Sequence, residues 1–140
     1  MVKLLVGHAG SGKTKQMIEL ANDVAKTSSG TVTFISKSYR PDYGLAHNIR
    51  VVCMDDYPKI TNSDEYIGFI YGIISSDHDL DVVFIDGILK HADVSMGNLP
   101  EFVDRVKKIS EVYGPSFVVS LSAEQEELIG VDFTGCEILN

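Results

Sequence analysis

Short runs of apolar residues alternate along the chain with longer stretches in which apolar residues recur every three or four positions. Runs of the first kind are typical of buried β-strands, and stretches of the second kind are typical of amphipathic helices. We predict strands at residues 2–6, 31–36, 49–54, 81–86 and 117–121, and a short edge strand at 136–139. We predict helices at residues 13–26, 62–75 and 100–113. This alternation indicates an α/β fold of three layers, in which helices cover both faces of a mostly parallel sheet.

Polar residues at the ends of the predicted helices refine their boundaries. Asn62 and Ser63 are both suitable N-caps for the second helix. Ser122 is followed three residues later by Gln125, which indicates a capping box for a short last helix. Between the second and third strands, residues 37–48 are polar and lack periodicity, which predicts an irregular loop.

The second predicted helix carries Gly68 and Gly72 at G-x-x-x-G spacing. The same spacing is found where membrane helices dimerise. The apolar stretch here, residues 66–74, is far shorter than the roughly 18 residues that a membrane span needs. We therefore interpret the two glycines as a sign that this helix packs closely on the sheet.

Size, composition and charge narrow the class of protein. A chain of 140 residues with 44% hydrophobic and 23% charged residues fits one globular domain over residues 1–140. The net charge of −8 argues against nucleic acid as a partner, because broad binding to nucleic acid needs a basic face. Cys53 and Cys136 lack the paired spacing of a metal or redox site, and we predict buried free thiols. Because the sequence has no signal peptide and no membrane span, we expect a cytoplasmic protein with no membrane partner.

The most specific chemical motif lies between the first predicted strand and the first predicted helix. It matches G-x-x-x-x-G-K-[ST] in full, as Gly7, His8, Ala9, Gly10, Ser11, Gly12, Lys13 and Thr14. Glycines let the backbone curl so that successive N–H groups point at phosphate oxygens, and the following helix N-terminus adds a favourable field. We predict that Lys13 bridges the β- and γ-phosphates of a nucleoside triphosphate and that the Thr14 hydroxyl binds Mg²⁺. The sequence has no N-K-x-D guanine motif, which favours ATP.

A carboxylate is predicted at the end of the fourth strand, where four apolar residues are followed by Asp86. Ligands of open α/β sheets bind outside the carboxyl ends of the strands, so Asp86 and the glycine-rich loop are expected to share one edge. There Asp86 would hold the Mg²⁺ together with Thr14, usually through the water shell of the metal.

These two motifs resemble those of the P-loop NTPase superfamily, in which the loop is called Walker A and the aspartate closes the Walker B strand. The order of elements is similar to RecA-like folds and to the core of thymidine kinase, although the cysteine zinc site and substrate lasso of thymidine kinase are absent from the sequence. The chain also resembles a family of short bacterial ATP-binding proteins, some of them labelled twitching-motility ATPases, through residues 6–14 and 84–87. The resemblance implies a P-loop NTPase fold that binds ATP with Mg²⁺.

The residue after Asp86 bears on hydrolysis. Many hydrolytic members of the superfamily carry a glutamate at that position, which orients the attacking water, whereas this chain has Gly87. The departure favours weak or absent ATPase activity. The alternative is a base from elsewhere, and Asp55 and Asp56 at the end of the third strand are the candidates, although a solvated turn also explains both.

The sequence leaves the roles of several other polar residues open. Ser120 and Ser122 end the fifth strand, where RecA-like proteins carry a residue that senses the γ-phosphate. A helix cap explains Ser122 better, and the role of Ser120 is left open. Arg40 and Arg50 could stabilise charge from the loop at residues 37–48, although exposed surface positions also explain them.

Two classes of function follow from these observations. The first is a nucleotide-dependent binding or regulatory module, in which the loop at residues 37–48 or the helices respond to ATP, with an unidentified protein as partner. The second is an enzyme, either a slow ATPase or a small-molecule kinase of the nucleoside type. Gly87 and the lack of a recognisable acceptor-substrate domain favour the first class.

Overall fold

In the part of the chain that the structure describes, six strands and three α-helices follow one another in the order that the sequence pattern predicts. A computed structural model describes residues 1–39, 41–90 and 94–140. The strands are β1 Val2–Gly7, β2 Thr31–Ser36, β3 Ile49–Cys53, β4 Leu80–Ile85, β5 Ser116–Ser122 and β6 Cys136–Ile138. The helices are α1 Lys13–Thr27, α2 Ser63–Ser76 and α3 Leu99–Tyr113. Short 3₁₀ turns occur at Pro41–Tyr43, Met54–Asp56, Ile88–Lys90 and Gln125–Leu128.

The strands form one sheet in the order β3-β2-β4-β5-β1-β6, and every neighbouring pair is parallel. All carboxyl ends therefore lie at the same edge of the sheet. Strand β5 lies between β1 and β4, so the glycine-rich loop after β1 and the aspartate after β4 are two strands apart. The register pairs Ile85 with Val119, which brings Asp86 level with Ser120.

Helices cover both faces of the sheet. On one face, α1 packs Met17 and Ile18 into a cluster with Phe34 and Phe84, whose rings stack with centroids 6.1 Å apart. On the other face, α2 and α3 bury residues that include Tyr66 and several aliphatic side chains against a larger cluster. Adjacent residues of a strand point to opposite faces, which explains how the fully apolar strands supply both clusters. The predicted three-layer α/β architecture is confirmed, with a sheet that is entirely parallel.

None of the helices in the part of the chain that the structure describes combines the length and the apolar content that a membrane span requires.

One predicted helix cap is confirmed and another is wrong. The Asn62 side chain accepts a hydrogen bond from the backbone N–H of Glu65 at 2.8 Å, as expected of an N-cap. Ser122 caps nothing, because pairing with Gly7 of β1 keeps it in strand β5. The capping box is formed two residues later, by Glu124 and Glu127. The parallel ladder extends the strand past the point that local sequence indicates.

The interpretation of Gly68 and Gly72 as packing positions is wrong. Both residues are exposed on α2, and a Cβ atom added at either position would have no atom within 4 Å beyond its own neighbourhood. The helix instead packs on the sheet through Tyr66, Ile67 and Ile70, which lie on its other side.

Cys53 and Cys136 are free thiols, as predicted, but they are half-buried rather than buried. Partial desolvation raises the pKa of both thiols, because the thiolate loses hydration. For Cys53, the negative charge of Asp56 raises the pKa further.

Candidate functional site

The glycine-rich loop joins the buried strand β1 to the N-terminus of α1. Gly12 is the residue before the helix, with φ +85°, a left-handed conformation that glycine adopts without strain. Its carbonyl accepts the first helical hydrogen bond, from the N–H of Gln16 at 3.2 Å. No acidic side chain lies in the first turn of α1, so the positive end of the helix is available to an anion.

Lys13 is the buried cation of the loop. The residue is 7% exposed, and its ammonium group donates hydrogen bonds to the backbone oxygen of His8 at 2.7 Å and to the Ser11 hydroxyl at 3.3 Å. The side chain therefore folds back over the loop and holds a positive charge inside it. The other predicted phosphate-binding residues are mostly exposed along the same loop; they are Gly7, His8, Ala9, Gly10, Ser11, Gly12 and Thr14.

Thr14 and Asp86 meet at the carboxyl edge of the sheet although 72 residues separate them in sequence. The Thr14 hydroxyl donates a hydrogen bond to Oδ2 of Asp86 at 2.9 Å. The second carboxylate oxygen, Oδ1, accepts a hydrogen bond from the hydroxyl of Ser120 at 2.8 Å. Both carboxylate oxygens therefore have a hydroxyl partner, and the side chain of Asp86 is held in one orientation.

Gly87 completes this arrangement. Its backbone N–H donates to the Ser120 hydroxyl at 2.7 Å, so Ser120 accepts from Gly87 and donates to Asp86. Gly87 has φ +70°, a left-handed conformation that strains a residue with a Cβ atom. A glutamate at this position would have to adopt that strained backbone, which gives a physical reason for the glycine.

A cleft of about 450 Å³ opens beside these residues. Its walls come from the loop, from the ends of β4 and β5, and from the segment after β2; they include Lys13, Thr14, Ser36, Lys37, Ser38, Tyr43, Asp86, Gly87 and Ser120. Lys37, which directly follows β2, gives the cleft a second cation. The sequence alone did not single out Lys37, but a lysine directly after a predicted strand was the available indication.

Asp55 and Asp56 are not among the residues that line this cleft. Both are exposed in the turn after β3, which is the edge strand on the far side of β2. The nearest link is through the backbone, where the N–H of Asp55 donates to the carbonyl oxygen of Lys37 at 3.0 Å. A role of either aspartate as a catalytic base stays a prediction.

Arg50 lies away from the cleft. Arg50 lies in β3, and its guanidinium is 4.0 Å from the carboxylate of Asp77, which precedes the amino end of β4. That carboxylate is at the edge of the sheet opposite the cleft, so Arg50 does not face the loop. Arg40 lies outside the described residues.

The donor set beside the loop fits Mg²⁺ bound with a nucleotide. The hydroxyl of Thr14 and the carboxylate of Asp86 are oxygen donors already in contact, and Mg²⁺ prefers one or two protein oxygens together with phosphate and water oxygens. Within the described residues, no cluster of three or more His, Cys, Asp or Glu side chains offers a metal site of another kind. These residues would therefore hold Mg²⁺ with the help of the phosphates.

A comparison with protein families finds a match, and no curated protein matches the chain. The family model described as RNA helicase matches residues 3–80, which is more than half of the chain. The match begins in β1, includes the whole glycine-rich loop and ends at Leu80, before Asp86 and Ser120. The matched residues contain the loop whose geometry supports phosphate binding, in keeping with a P-loop NTPase fold. This chain belongs to the RNA helicase family.

Proposed function

We propose that the protein is a Mg²⁺-ATP-binding P-loop module that acts as a nucleotide-dependent switch with weak or no intrinsic hydrolysis. One observation carries the proposal: the hydroxyl of Thr14 and the carboxylate of Asp86 are 2.9 Å apart, at the mouth of a loop that holds a buried lysine. An isolated glycine-rich turn needs no such partner from a distant strand.

Different residues of the cleft would bind the phosphates and the Mg²⁺. The loop N–H groups, the N-terminus of α1 and the ammonium of Lys13 bind phosphate oxygens. Thr14 and Asp86 would hold Mg²⁺, which supplies positive charge against the β- and γ-phosphates when it is bound. Ser120 positions Asp86 for this contact. Lys37, which also lines the cleft, would contact the end of the phosphate chain.

We expect weak ATP hydrolysis because the described lining of the cleft has no carboxylate that is free to act as a base. Among the described residues that line it, Asp86 is the one carboxylate, and Thr14 and Ser120 both donate to it. A base that orients the attacking water needs an accessible acceptor oxygen near the γ-phosphate. The two carboxylate oxygens of Asp86 accept hydrogen bonds from Thr14 and Ser120, and Gly87 has no side chain. The described residues of the cleft therefore offer no such base.

The segment after β2 is the element that would respond to nucleotide. Lys37, Ser38 and Tyr43 line the cleft, and Tyr43 also contacts Tyr39 with ring centroids 5.4 Å apart. The same segment is tied to α1, because the amide of Asn22 donates to the carbonyl oxygen of Gly44 at 3.0 Å. Phosphate bound between the loop and this segment would draw the two walls together, which changes the surface that a protein partner meets.

An RNA-stimulated ATPase is a second candidate, favoured by the family match alone. Net charge weighs against it, since a chain of −8 has to gather its cations locally to hold an RNA backbone. A slow ATPase or a nucleoside-type kinase is a third candidate, and the resemblance to short bacterial ATP-binding proteins stays a prediction. Cytoplasmic location is likewise part of the proposal.

The test is calorimetry with Mg²⁺-ATP on the wild type, Lys13→Ala and the control Lys59→Ala, which removes the same charge from an exposed position outside the cleft. We expect the wild type and the control to bind and Lys13→Ala to lose binding. Phosphate release is then measured with and without single-stranded RNA. Little release in either condition supports the switch, stimulation by RNA supports the helicase-type activity, and release without RNA supports the slow ATPase.

A further inference from the structure

A cavity of about 470 Å³ opens at the edge of the sheet opposite the phosphate cleft. It lies between the carboxyl-terminal ends of α2 and α3, and it is lined by Leu80 and Pro115 at the amino ends of β4 and β5. Strand β4 begins at Leu80 and is followed by Asp86, and its six residues span about 20 Å. The cavity is therefore separate from the site that we propose for the nucleotide.

Two exposed tyrosines stand at the cavity. Tyr71 of α2 is 43% exposed and Tyr113 of α3 is 54% exposed, and their rings meet edge to face with centroids 5.7 Å apart. Val112, the neighbour of Tyr113 in sequence, is also exposed. Large apolar side chains that group at a surface typically mark an interaction site. The faces of tyrosine rings attract cations in particular.

Gly72 leaves room beside these tyrosines. It lines the cavity from within α2, and a Cβ atom added there would have no atom within 4 Å beyond its own neighbourhood. Glycine inside a helix is less favourable than alanine, and no contact within this chain requires it here. A long side chain at this position would take up part of the opening.

Asp77 gives the cavity a negative charge. Its side chain is 15% exposed, and its Oδ1 accepts a hydrogen bond from the N–H of Asp79 at 3.0 Å. Its Oδ2 is 4.0 Å from the guanidinium of Arg50, which is longer than a hydrogen bond. The described lining of the cavity includes no lysine or arginine. A carboxylate that is largely removed from water and keeps an acceptor oxygen favours a cation brought by a ligand.

Net charge decides among the possible occupants of this cavity. The chain carries −8, so a second copy, a nucleic acid and an anionic membrane are all repelled at long range. A basic protein segment is attracted instead. Among basic side chains, arginine has a planar cation that stacks on aromatic rings and also carries N–H groups that bind a carboxylate.

We propose that this cavity is the docking site for an arginine side chain of a basic protein partner. The guanidinium stacks on the ring of Tyr71 or Tyr113 and donates a hydrogen bond to Oδ2 of Asp77. Apolar residues beside that arginine in the partner cover the rest of the tyrosine pair. The inference goes beyond the nucleotide site and does not depend on it.

The experiment titrates the ¹⁵N-labelled protein with the peptide acetyl-Gly-Arg-Leu-Gly-amide, followed by NMR to millimolar peptide. The comparison peptide carries citrulline, which has the shape of arginine and no charge. We expect the arginine peptide to bind about tenfold more tightly, since a hydrogen bond between charged groups is stronger than a neutral one. Asp77→Asn should shrink the difference to about twofold or less, because the carboxylate charge is lost. Asp79→Asn, at an exposed carboxylate that does not line the cavity, should preserve it.

A second pair of variants keeps the test independent of the fold of Asp77→Asn. Gly72→Leu places a side chain at the opening, and Gly68→Leu makes the same change one turn earlier, at an exposed position that does not line the cavity. Only Gly72→Leu should block the arginine peptide. The shifted amide signals should map to the ends of α2 and α3.

Three results would overturn the inference. They are no binding of the arginine peptide by the wild type, equal binding of the two peptides, and binding that survives Gly72→Leu. Sedimentation should show a monomer, and a dimer that Gly72→Leu disperses would assign the surface to a second copy instead. Calorimetry with Mg²⁺-ATP on the same variants tests the phosphate cleft separately, so either proposal can fail while the other stands.

Discussion

The hydroxyl of Ser120 links Gly87 and Asp86, accepting from the backbone of one at 2.7 Å and donating to the carboxylate of the other at 2.8 Å. Ser120 is 1% exposed, so both hydrogen bonds are shielded from bulk water. Loss of the hydroxyl would leave the Gly87 N–H without its partner and one oxygen of Asp86 with one donor fewer. The strand between the loop and the aspartate therefore takes part in positioning the aspartate.

We expect Ser120→Ala to weaken Mg²⁺-dependent ATP binding about tenfold and to lower the free energy of unfolding by about 1–3 kcal/mol. The matched control is Ser116→Ala, at the amino end of the same strand and away from the cleft. Calorimetry at several Mg²⁺ concentrations and urea unfolding measure the two effects. Equal ATP affinity in Ser120→Ala and wild type would contradict the positioning role.

A set of asparagine variants distinguishes the role of Asp86 from the roles of Asp55 and Asp56. Asp86→Asn should remove the Mg²⁺ dependence of ATP binding, because the carboxylate charge beside Thr14 is lost. Asp55→Asn and Asp56→Asn should leave both binding and phosphate release within twofold of wild type, since neither lines the cleft. A loss of phosphate release in either of the last two variants would revive their role as a base.

Lys37 is expected to distinguish ATP from ADP. It lines the cleft directly after β2 and is exposed, so a contact with a terminal phosphate would be screened and worth about 1 kcal/mol or less, or up to about fivefold in affinity. Lys37→Ala should therefore weaken ATP up to about fivefold, and weaken ADP less. Added salt should shrink the difference. Lys59→Ala serves as the charge-matched control, and equal losses for ATP and ADP would place Lys37 nearer the β-phosphate.

The exposed glycines of α2 offer a gain in stability. Alanine at Gly68 or Gly72 meets no neighbour, and the helix interior favours alanine over glycine by about 0.5–1 kcal/mol. Each variant should raise the free energy of unfolding by that amount, as measured by urea denaturation. Gly30→Ala is the opposite case, because its Cβ would overlap the carbonyl oxygen of Asp79, and we expect a loss. Destabilisation by Gly68→Ala or Gly72→Ala would mean that this face is covered by another molecule in solution.

Tyr66 makes stability fall at alkaline pH. Complete burial raises the pKa of its phenol far above the ordinary value of 10.0, because the phenolate would be desolvated. The folded state thus keeps the proton after the unfolded chain has lost it. The contribution is complete below pH 10 and is lost as pH rises above that value. Urea unfolding between pH 8 and 11 should show a steeper decline for wild type than for Tyr66→Phe, and equal slopes would contradict the assignment.

Local sequence determines most of the fold because each element has its own boundary signals. The ends of β2 coincide with the predicted strand, since Ser28 to Gly30 stop one helix before it and a polar loop follows it. Ser122 fails as a cap because its conformation is decided by pairing with Gly7, a partner far away in the chain. Gly68 and Gly72 fail because spacing alone does not say which side of a helix meets the sheet.

Some residues of the candidate site can likewise be predicted from local sequence, and others cannot. The loop from Gly7 to Thr14 is a contiguous motif, so its curled backbone and the phosphate-binding role that we propose for it can be predicted from residue types. The place of Lys37 in the cleft, and of Asp55 and Asp56 outside it, depends on the order of strands in the sheet. β2 neighbours β4, whereas β3 lies at the edge of the sheet. Lys37 after β2 therefore lines the cleft, and Asp55 and Asp56 after β3 do not.

Pairing of β1 with β5 and β6 has a consequence for the way the chain folds. Val2 is aligned with Phe117 of β5 and with Cys136 of β6. The first strand therefore has a neighbour on each side only when the last part of the chain has joined the sheet. Contacts between such distant residues slow folding, because a long loop must close first. Thr14 and Asp86 follow β1 and β4, which have β5 between them, so we expect a nucleotide that needs both residues to bind the assembled sheet. Such a ligand would hold the protein closed against unfolding by mass action, and it would protect the amino-terminal strand from exchange most of all.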